Sequence, residues 1–120
     1  MIRMIQRRLI IPRGDTGSFS IPLNVAMSNG DVAIFSILDP LTQKNVLELQ
    51  GIVENDTITF TFSRENTVNL APRRYLWDVT IYNGPEYDED GKLIDGAEIN
   101  SYYAAFKLPV CEIREVAQNV

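Results

Sequence analysis

The most informative absence in this chain of 120 residues is histidine, of which there is none. Without an imidazole, no Ser-His-Asp or Cys-His catalytic unit can form, and no histidine can ligate zinc. The side chain that most readily changes its charge near neutral pH is also missing. We therefore predict that the protein is not an enzyme and that it carries no cofactor.

Cysteine is almost absent as well, since Cys111 is the only one. A single cysteine excludes an intrachain disulfide, so the fold must be held together by its apolar core alone. With no histidine available to activate the thiol, we expect Cys111 to be a small, half-buried structural residue.

The sequence also lacks long apolar runs. The segment from Met1 to Arg8 carries arginines where a signal peptide needs an apolar stretch, and the aliphatic run Leu9-Ile10-Ile11 is ended by Pro12. No stretch approaches the roughly 20 apolar residues that span a bilayer. We therefore expect neither a signal peptide nor a membrane partner.

Positive charge is scarce, and both signs are concentrated. The net charge is −5, which argues against a nucleic-acid partner because binding to the phosphate backbone depends on clustered Lys and Arg. Residues 1–13 form a basic arm with no acid, whereas residues 84–100 hold six acids and one lysine. The arginines of the arm are Arg3, Arg7, Arg8 and Arg13. The two segments could pair within one chain or between copies, or they could be two separate solvated surfaces.

Where hydrophobic residues are present, they alternate with a period of two, which indicates half-buried strands. One example is the segment from Thr57 to Ser63, in which aromatic and aliphatic side chains share one face and hydroxyl side chains share the other. The segment from Arg64 to Leu70 is weak as a strand and predicts a helical turn or an irregular crossing. The predicted core includes Phe60, Tyr75, Trp77 and Phe106.

About seven to nine short strands follow one another with turns between them, and residues 1–120 show no domain boundary. Such a series predicts a single all-β domain, an antiparallel immunoglobulin-like β-sandwich. Asn83-Gly84-Pro85 is predicted to end one strand. The segment from Leu70 to Trp77 predicts a tyrosine corner, in which the phenol of Tyr75 binds a backbone group between the two sheets.

Two short motifs admit a structural and a functional interpretation. Arg13-Gly14-Asp15 spells the tripeptide that integrins recognise, but the glycine also fits a tight turn, which we favour. The segment from Asp88 to Gly91 resembles the start of a calcium loop, yet it lacks the bidentate Glu at the twelfth position. We favour an acidic hairpin there, with a second turn at Asp95-Gly96, and regard Asp88 and Asp90 as weak candidate ligands for a hard cation.

Three segments resemble a known family: Arg13 to Ile21, Leu70 to Tyr82, and Gly91 to Val110. They are similar to the immunoglobulin-like N-terminal domain of phage baseplate upper proteins and related tail or fibre proteins. The resemblance implies a structural, non-enzymatic role in docking a fibre or receptor-binding module onto a tail baseplate. It also implies a location in the virion, or in the bacterial cytoplasm before assembly.

The leading functional hypothesis is therefore assembly with copies of this chain or with other virion proteins. We expect the basic arm to meet the acidic segment, with the strand that carries Ile5, Leu9 and Ile11 adding to a neighbour's sheet edge. The acidic residues expected to take part are Asp88, Glu89 and Asp90. The alternative is a carbohydrate- or receptor-binding module that uses the acidic hairpin together with loop-tip aromatics. Those aromatics are Tyr82, Tyr87, Tyr102 and Tyr103.

Overall fold

The computed structural model of the chain describes residues 1–23, 27, 30–91, 93–101 and 109–115, and only the backbone of 83, 85 and 93–101. These ranges contain ten strands and one short helix, so the predicted all-β class is confirmed. The strands are β1 (Arg3–Ile5), β2 (Arg8–Pro12), β3 (Gly17–Pro22), β4 (Val32–Asp39), β5 (Lys44–Gln50), β6 (Ile52–Glu54), β7 (Thr57–Phe62), β8 (Arg73–Tyr87), β9 (Leu93–Ser101) and β10 (Val110–Arg114), and the helix is α1 (Arg64–Thr67). None of the described segments forms a helix long and apolar enough to cross a lipid bilayer.

The described strands form two sheets. The large sheet has the order β1-β2-β10-β8-β4-β5. Strand β9 pairs with the later part of β8, after the residues of β8 that pair with β10. The small sheet has the order β3-β7-β6. The strands in the described ranges outnumber the predicted seven to nine because the arm is divided by a turn at Gln6 and because 52–54 forms a separate strand.

The prediction of purely antiparallel pairing is wrong at one place. Strands β2 and β10 are parallel, with Cys111 opposite Leu9 and Ile113 opposite Ile11. Parallel neighbours cannot be joined by a short turn, and here most of the domain separates the two strands along the chain. A local pattern of alternation therefore carries no signal for this pairing.

Aromatic side chains from both sheets meet in the core. The ring of Phe19 in the small sheet lies 5.3 Å from that of Phe35 and 6.0 Å from that of Trp77, both in the large sheet. The predicted core residues Phe60 and Trp77 are 0 % exposed, and Tyr75 is 2 % exposed. The remaining predicted core residue, Phe106, lies outside the described residues. The alternation of apolar side chains on β3, β4, β7 and β8 thus builds one core between the two sheets.

The chain passes from one sheet to the other at Gly51. Strand β5 pairs with β4 in the large sheet and β6 pairs with β7 in the small sheet, with this glycine as the single residue between them. Its N–H donates to the carbonyl of Ala33 at 2.9 Å. A Cβ atom at this position would lie 2.6 Å from side-chain carbons of both Ile58 and Phe60. Only glycine fits such a close approach to the core without a shift of its neighbours.

The crossing before β8 contains both local features that the sequence predicts there. Residues 64–67 form the helical turn α1, and the side-chain oxygen of Asn66 accepts the N–H of Ser63 at 2.7 Å. The phenol of Tyr75 donates to the carbonyl of Ala71 at 2.8 Å, which is the predicted tyrosine corner. Because Tyr75 is buried, water cannot reach its hydroxyl, and this bond gives the hydroxyl a partner within the protein.

Two predicted chain breaks are wrong. Strand β8 continues through Asn83-Gly84-Pro85 to Tyr87, and the pairing with β9 shifts register between Asn83 and Glu86. Gly84 adopts a φ of 57°, so the glycine forms an irregularity within a strand instead of ending it. Asp95-Gly96, predicted as a second turn, lies inside β9. A long hairpin therefore replaces the series of turns.

Candidate functional site

Two arginines of the N-terminal arm, Arg8 and Arg13, contact acids in and after β10. The guanidinium of Arg8 donates to the carboxylate of Glu112. The guanidinium of Arg13 lies 2.7 Å from a carboxylate oxygen of Glu115 and also donates to the carbonyl of Val68 at 3.3 Å. Arg7 lies in the turn between β1 and β2, where its carbonyl accepts the indole N–H of Trp77 at 2.9 Å.

The expectation that this arm is available to a neighbour needs correction for β2 but not for β1, which lies at the end of the large sheet and carries Ile5 at 52 % exposure. Leu9 and Ile11 are both 0 % exposed and belong to the chain's own core. Strand β2 is flanked by β1 and β10 within the same sheet. Donating this strand would remove buried apolar area that the domain itself needs. The sequence pattern could not reveal this, because a strand buried in its own sheet and a strand donated to another have the same alternation.

Arginines from four strands share the outer face of the large sheet. Residues opposite one another on neighbouring strands point to the same face, and the register places Arg3, Ile10, Glu112 and Arg74 on one line across β1, β2, β10 and β8. Their sequence neighbours, such as Leu9, Cys111 and Tyr75, point into the core, so this line faces outward. We call the four arginines on this surface the arginine face. They are Arg3, Arg8, Arg74 and Arg114.

The carboxylate of Glu112 lies among these arginines, and its pKa is strongly perturbed. The pKa of Glu112 is lowered to about 2, first because the side-chain N–H of Arg114 donates to it at 2.8 Å and second because Arg8 also donates to it. It therefore stays ionised well below neutral pH. The four guanidinium groups outnumber the acids that lie beside them, since Glu112 and, four residues from Arg74 on the same side of β8, Asp78 are the acids placed there by the described register.

Sequence reasoning identified only half of the arginine face. Arg3 and Arg8 belong to the predicted basic arm, whereas Arg74 and Arg114 are distant in sequence and stand beside apolar residues. The signal that could have found them is their position on the outward side of alternating strands, opposite the predicted core residues. Without the parallel pairing of β2 with β10, that position does not bring them to the arm.

The acidic segment forms the predicted hairpin, and its turn is well defined. The N–H of Gly91 donates to the carbonyl of Asp88 at 3.0 Å, and a carboxylate oxygen of Asp88 accepts the N–H of Asp90 at 2.9 Å. Gly91 has a φ of 80°, which a glycine adopts without strain. We call residues 86–90 the acidic tip. It contains Glu86, Tyr87, Asp88, Glu89 and Asp90.

The acidic tip lies beyond the end of β4. Strand β4 begins at Val32, which pairs with Tyr82, so β8 continues for five residues beyond this pairing. At roughly 3.3 Å per residue this is an extension of about 17 Å. The side chains of Glu86, Glu89 and Asp90 are exposed there. Their charges consequently lie at the surface, where another molecule can reach them.

The aromatic residues of the alternative hypothesis are only partly described. Tyr87 is 50 % exposed at the acidic tip, whereas Tyr82 is half-buried on β8. Tyr102 and Tyr103 lie outside the described residues, so nothing here brings the four tyrosines to one surface. The carbohydrate-binding alternative stays a prediction.

The candidate cation ligands are used by the turn itself. Asp88 accepts the backbone bond described above, and no group of three or more potential metal-ligating side chains occurs within the described ranges. Glu89 and Asp90 follow in the same tight turn. The chemistry that these carboxylates supply here is a concentrated negative charge at the hairpin tip.

The tripeptide Arg13-Gly14-Asp15 forms the turn that we favour. The N–H of Asp15 donates to the carbonyl of Pro12 at 3.0 Å, and Gly14 has a φ of 77°. The N–H of Gly14 also donates to the hydroxyl of the buried Thr67 at 2.8 Å. These bonds tie the turn to α1, so the tripeptide has a structural role between β2 and β3.

Two further titratable groups, Cys111 and Asp39, have shifted pKa values and serve the fold. Burial raises the pKa of the Cys111 thiol to about 12, so this cysteine stays protonated and unreactive. The pKa of Asp39 is lowered, first because the N–H of Leu41 donates to its carboxylate at 2.9 Å and also because Arg73 lies 2.7 Å away. Both groups support the domain's own structure, Asp39 at the turn after β4 and Cys111 in the core.

Comparison with protein-family models, with curated proteins and with solved structures found no significant match. Support for a function therefore comes from the geometry of this chain and from the resemblance of its sequence segments to a known family.

Proposed function

We propose that this chain is a non-enzymatic structural protein of a phage or prophage tail, baseplate or fibre, and that it acts by protein–protein assembly. Its domain would be an immunoglobulin-like β-sandwich. The chain would reside in the virion, or in the bacterial cytoplasm before assembly, and its partners would be copies of itself or other virion proteins.

The strand order supports the immunoglobulin-like assignment. In variable-type immunoglobulin domains, strands G, F, C and C′ form one sheet, while B, E and D lie side by side in the other. The order β10-β8-β4-β5 corresponds to the first series, and β3-β7-β6 corresponds to the second. The tyrosine corner at the start of β8, the strand equivalent to F, is a second feature of this fold.

The observation that carries the assembly role is the edge formed by β5 and β6. No described strand pairs with the outer side of either one. Val46, Ile52 and Val53 are 36 %, 65 % and 38 % exposed along this edge. Exposed edge strands that carry apolar side chains readily add another strand.

The test is to look for the chain in phage particles. Particles produced by the source bacterium after prophage induction would be purified on a density gradient and analysed by quantitative mass spectrometry. We expect this chain to co-purify with tail proteins in a constant ratio across gradient fractions. Recovery of the chain only outside intact particles would contradict the proposal.

A further inference from the structure

The arginine face and the acidic tip carry opposite charges, yet they cannot meet within one chain. Arg74 and Tyr87 lie on the same strand, thirteen residues apart, so at roughly 3.3 Å per residue they are about 40 Å apart. The longest dimension of the protein is 48 Å, which places these surfaces towards its two ends. Exposed charges interact over only about 8 Å at physiological ionic strength. Pairing of the arginine face with the acidic tip of the same chain is therefore excluded.

We propose that the arginine face binds the acidic tip of a second copy of this chain. This inference rests on the proposed assembly function and names the surfaces that would perform it. The arginine face carries four guanidinium groups, two of which already contact Glu112, and the acidic tip carries four carboxylates from Glu86 to Asp90. A guanidinium binds a carboxylate through two parallel N–H donors, which adds geometric specificity to the charge attraction.

The shapes of the two surfaces fit this pairing. The arginine face is spread over four adjacent strands of a sheet, whereas the acidic tip is a narrow hairpin that extends about 17 Å beyond the end of β4. A hairpin can approach a sheet face without a clash between the two bodies. The side chains of Arg8 and Arg114 are 43 % and 44 % exposed, so their guanidinium groups keep access to a second carboxylate.

The pairing joins two different surfaces, so one copy keeps an unused acidic tip and the other keeps an unused arginine face. Such head-to-tail contacts produce a closed ring if the rotation between copies closes, and an open filament otherwise. The interaction depends on exposed charges and should weaken as salt rises.

The experiment compares charge reversals on each surface. The face variant carries Arg3→Glu with Arg74→Glu, and the tip variant carries Glu89→Lys with Asp90→Lys. Multi-angle light scattering at high micromolar concentration and low salt would give the mean mass of each protein alone and of an equimolar mixture. The matched control is Arg64→Glu, which reverses an exposed arginine of α1 that belongs to neither surface.

We expect the wild type and the control to have at least twice the mass of one chain and to dissociate at high salt. Each variant alone should be monomeric, because the face variant has two negative surfaces and the tip variant has a tip whose two lysines offset its two remaining carboxylates. The mixture should form a heterodimer of twice the mass of one chain, because the intact tip of the face variant can bind the intact face of the tip variant, whereas the two altered surfaces stay unpaired. Circular dichroism should show that all variants are folded.

A monomeric wild type would overturn the inference, as would a mixture that stays monomeric. If only the face variant loses mass, the acidic tip is not the occupant and the inference is again wrong. Wild-type protein that stays monomeric but binds an anionic polymer such as heparin would show that the face takes a different ligand. None of these results touches the presence of the chain in phage particles, which tests the proposed function separately.

Discussion

The two halves of β8 differ in what they contribute to the protein. The first half lies between β10 and β4 and buries four side chains in the core: Tyr75, Trp77, Val79 and Ile81. The second half passes the end of β4 and presents exposed carboxylates on the hairpin it forms with β9. One strand thus connects the part of the molecule that determines stability with a part available for recognition. Substitutions in the first half should lower the free energy of unfolding, and substitutions in the second should leave it nearly unchanged.

The largest effect is expected for Trp77→Ala. Trp77 is 0 % exposed, and its indole N–H donates to the carbonyl of Arg7. Loss of a buried tryptophan typically lowers the free energy of unfolding by 3–5 kcal/mol, roughly, because a cavity remains. Urea denaturation followed by circular dichroism measures the change, since the variant has no tryptophan left for fluorescence. A loss below about 1 kcal/mol would mean that this half of β8 does not anchor the core.

A smaller effect is expected for Tyr75→Phe, which removes only the hydroxyl of the tyrosine corner. The lost bond to the carbonyl of Ala71 should lower the free energy of unfolding by about 1 kcal/mol. The matched control is Tyr87→Phe, because Tyr87 lies on the same strand but is 50 % exposed. Equal effects of the two substitutions in urea denaturation would contradict a specific role for the corner.

The ion pairs of Glu112 should make stability depend on pH at the acidic end of the range. The pKa of Glu112 is about 2 in the folded chain, against 4.5 for an unperturbed glutamate. A carboxyl whose folded pKa is lowered stabilises the fold fully above pH 4.5 and loses that contribution as pH falls towards 2. At this partly exposed site we expect at most about 1 kcal/mol.

The matching measurement is the melting temperature of wild type and of Glu112→Gln at several pH values from 7 to the acid end. The variant should be less stable than wild type at pH 7, and the difference should shrink as the pH falls below 4.5. A difference that stays constant with pH would show that the carboxylate charge is not what stabilises this site.

The smallest effect is expected for Tyr87→Ala at the acidic tip. The side chain is half-exposed beyond the last pairing with β4, so we expect a change within about 0.5 kcal/mol in the free energy of unfolding. Denaturation under the conditions used for Trp77→Ala gives a direct comparison within one strand. A loss similar to that of Trp77→Ala would remove the distinction between the two halves.

The core residues, the tyrosine corner and the hairpin turn follow from local patterns in the sequence. Alternation places Phe60 and Trp77 in the core, the spacing before Tyr75 predicts the corner, and Asp90-Gly91 predicts the hairpin turn. These features depend on residues that are near one another along the chain, so their physical causes act within a few positions.

The remainder depends on contacts between distant segments. Arg8 and Glu112 meet only because β2 and β10 are parallel neighbours, a pairing with no local signature. The break predicted at Asn83-Gly84-Pro85 fails for a related reason, because pairing with β9 carries the strand through an irregular register. Propensity is a weak guide where tertiary pairing determines the backbone.

Gly51 has a mechanical consequence. Since a single residue joins β5 to β6, the two sheets share one continuous edge without slack. A pulling force that acts to slide one sheet over the other must first strip β5 from β4 or β6 from β7. The mechanical resistance of this crossing is therefore set by the hydrogen bonds of two strand pairs, β4 with β5 and β6 with β7. Inserting a few flexible residues at Gly51 should lower the force that is needed to extend the domain.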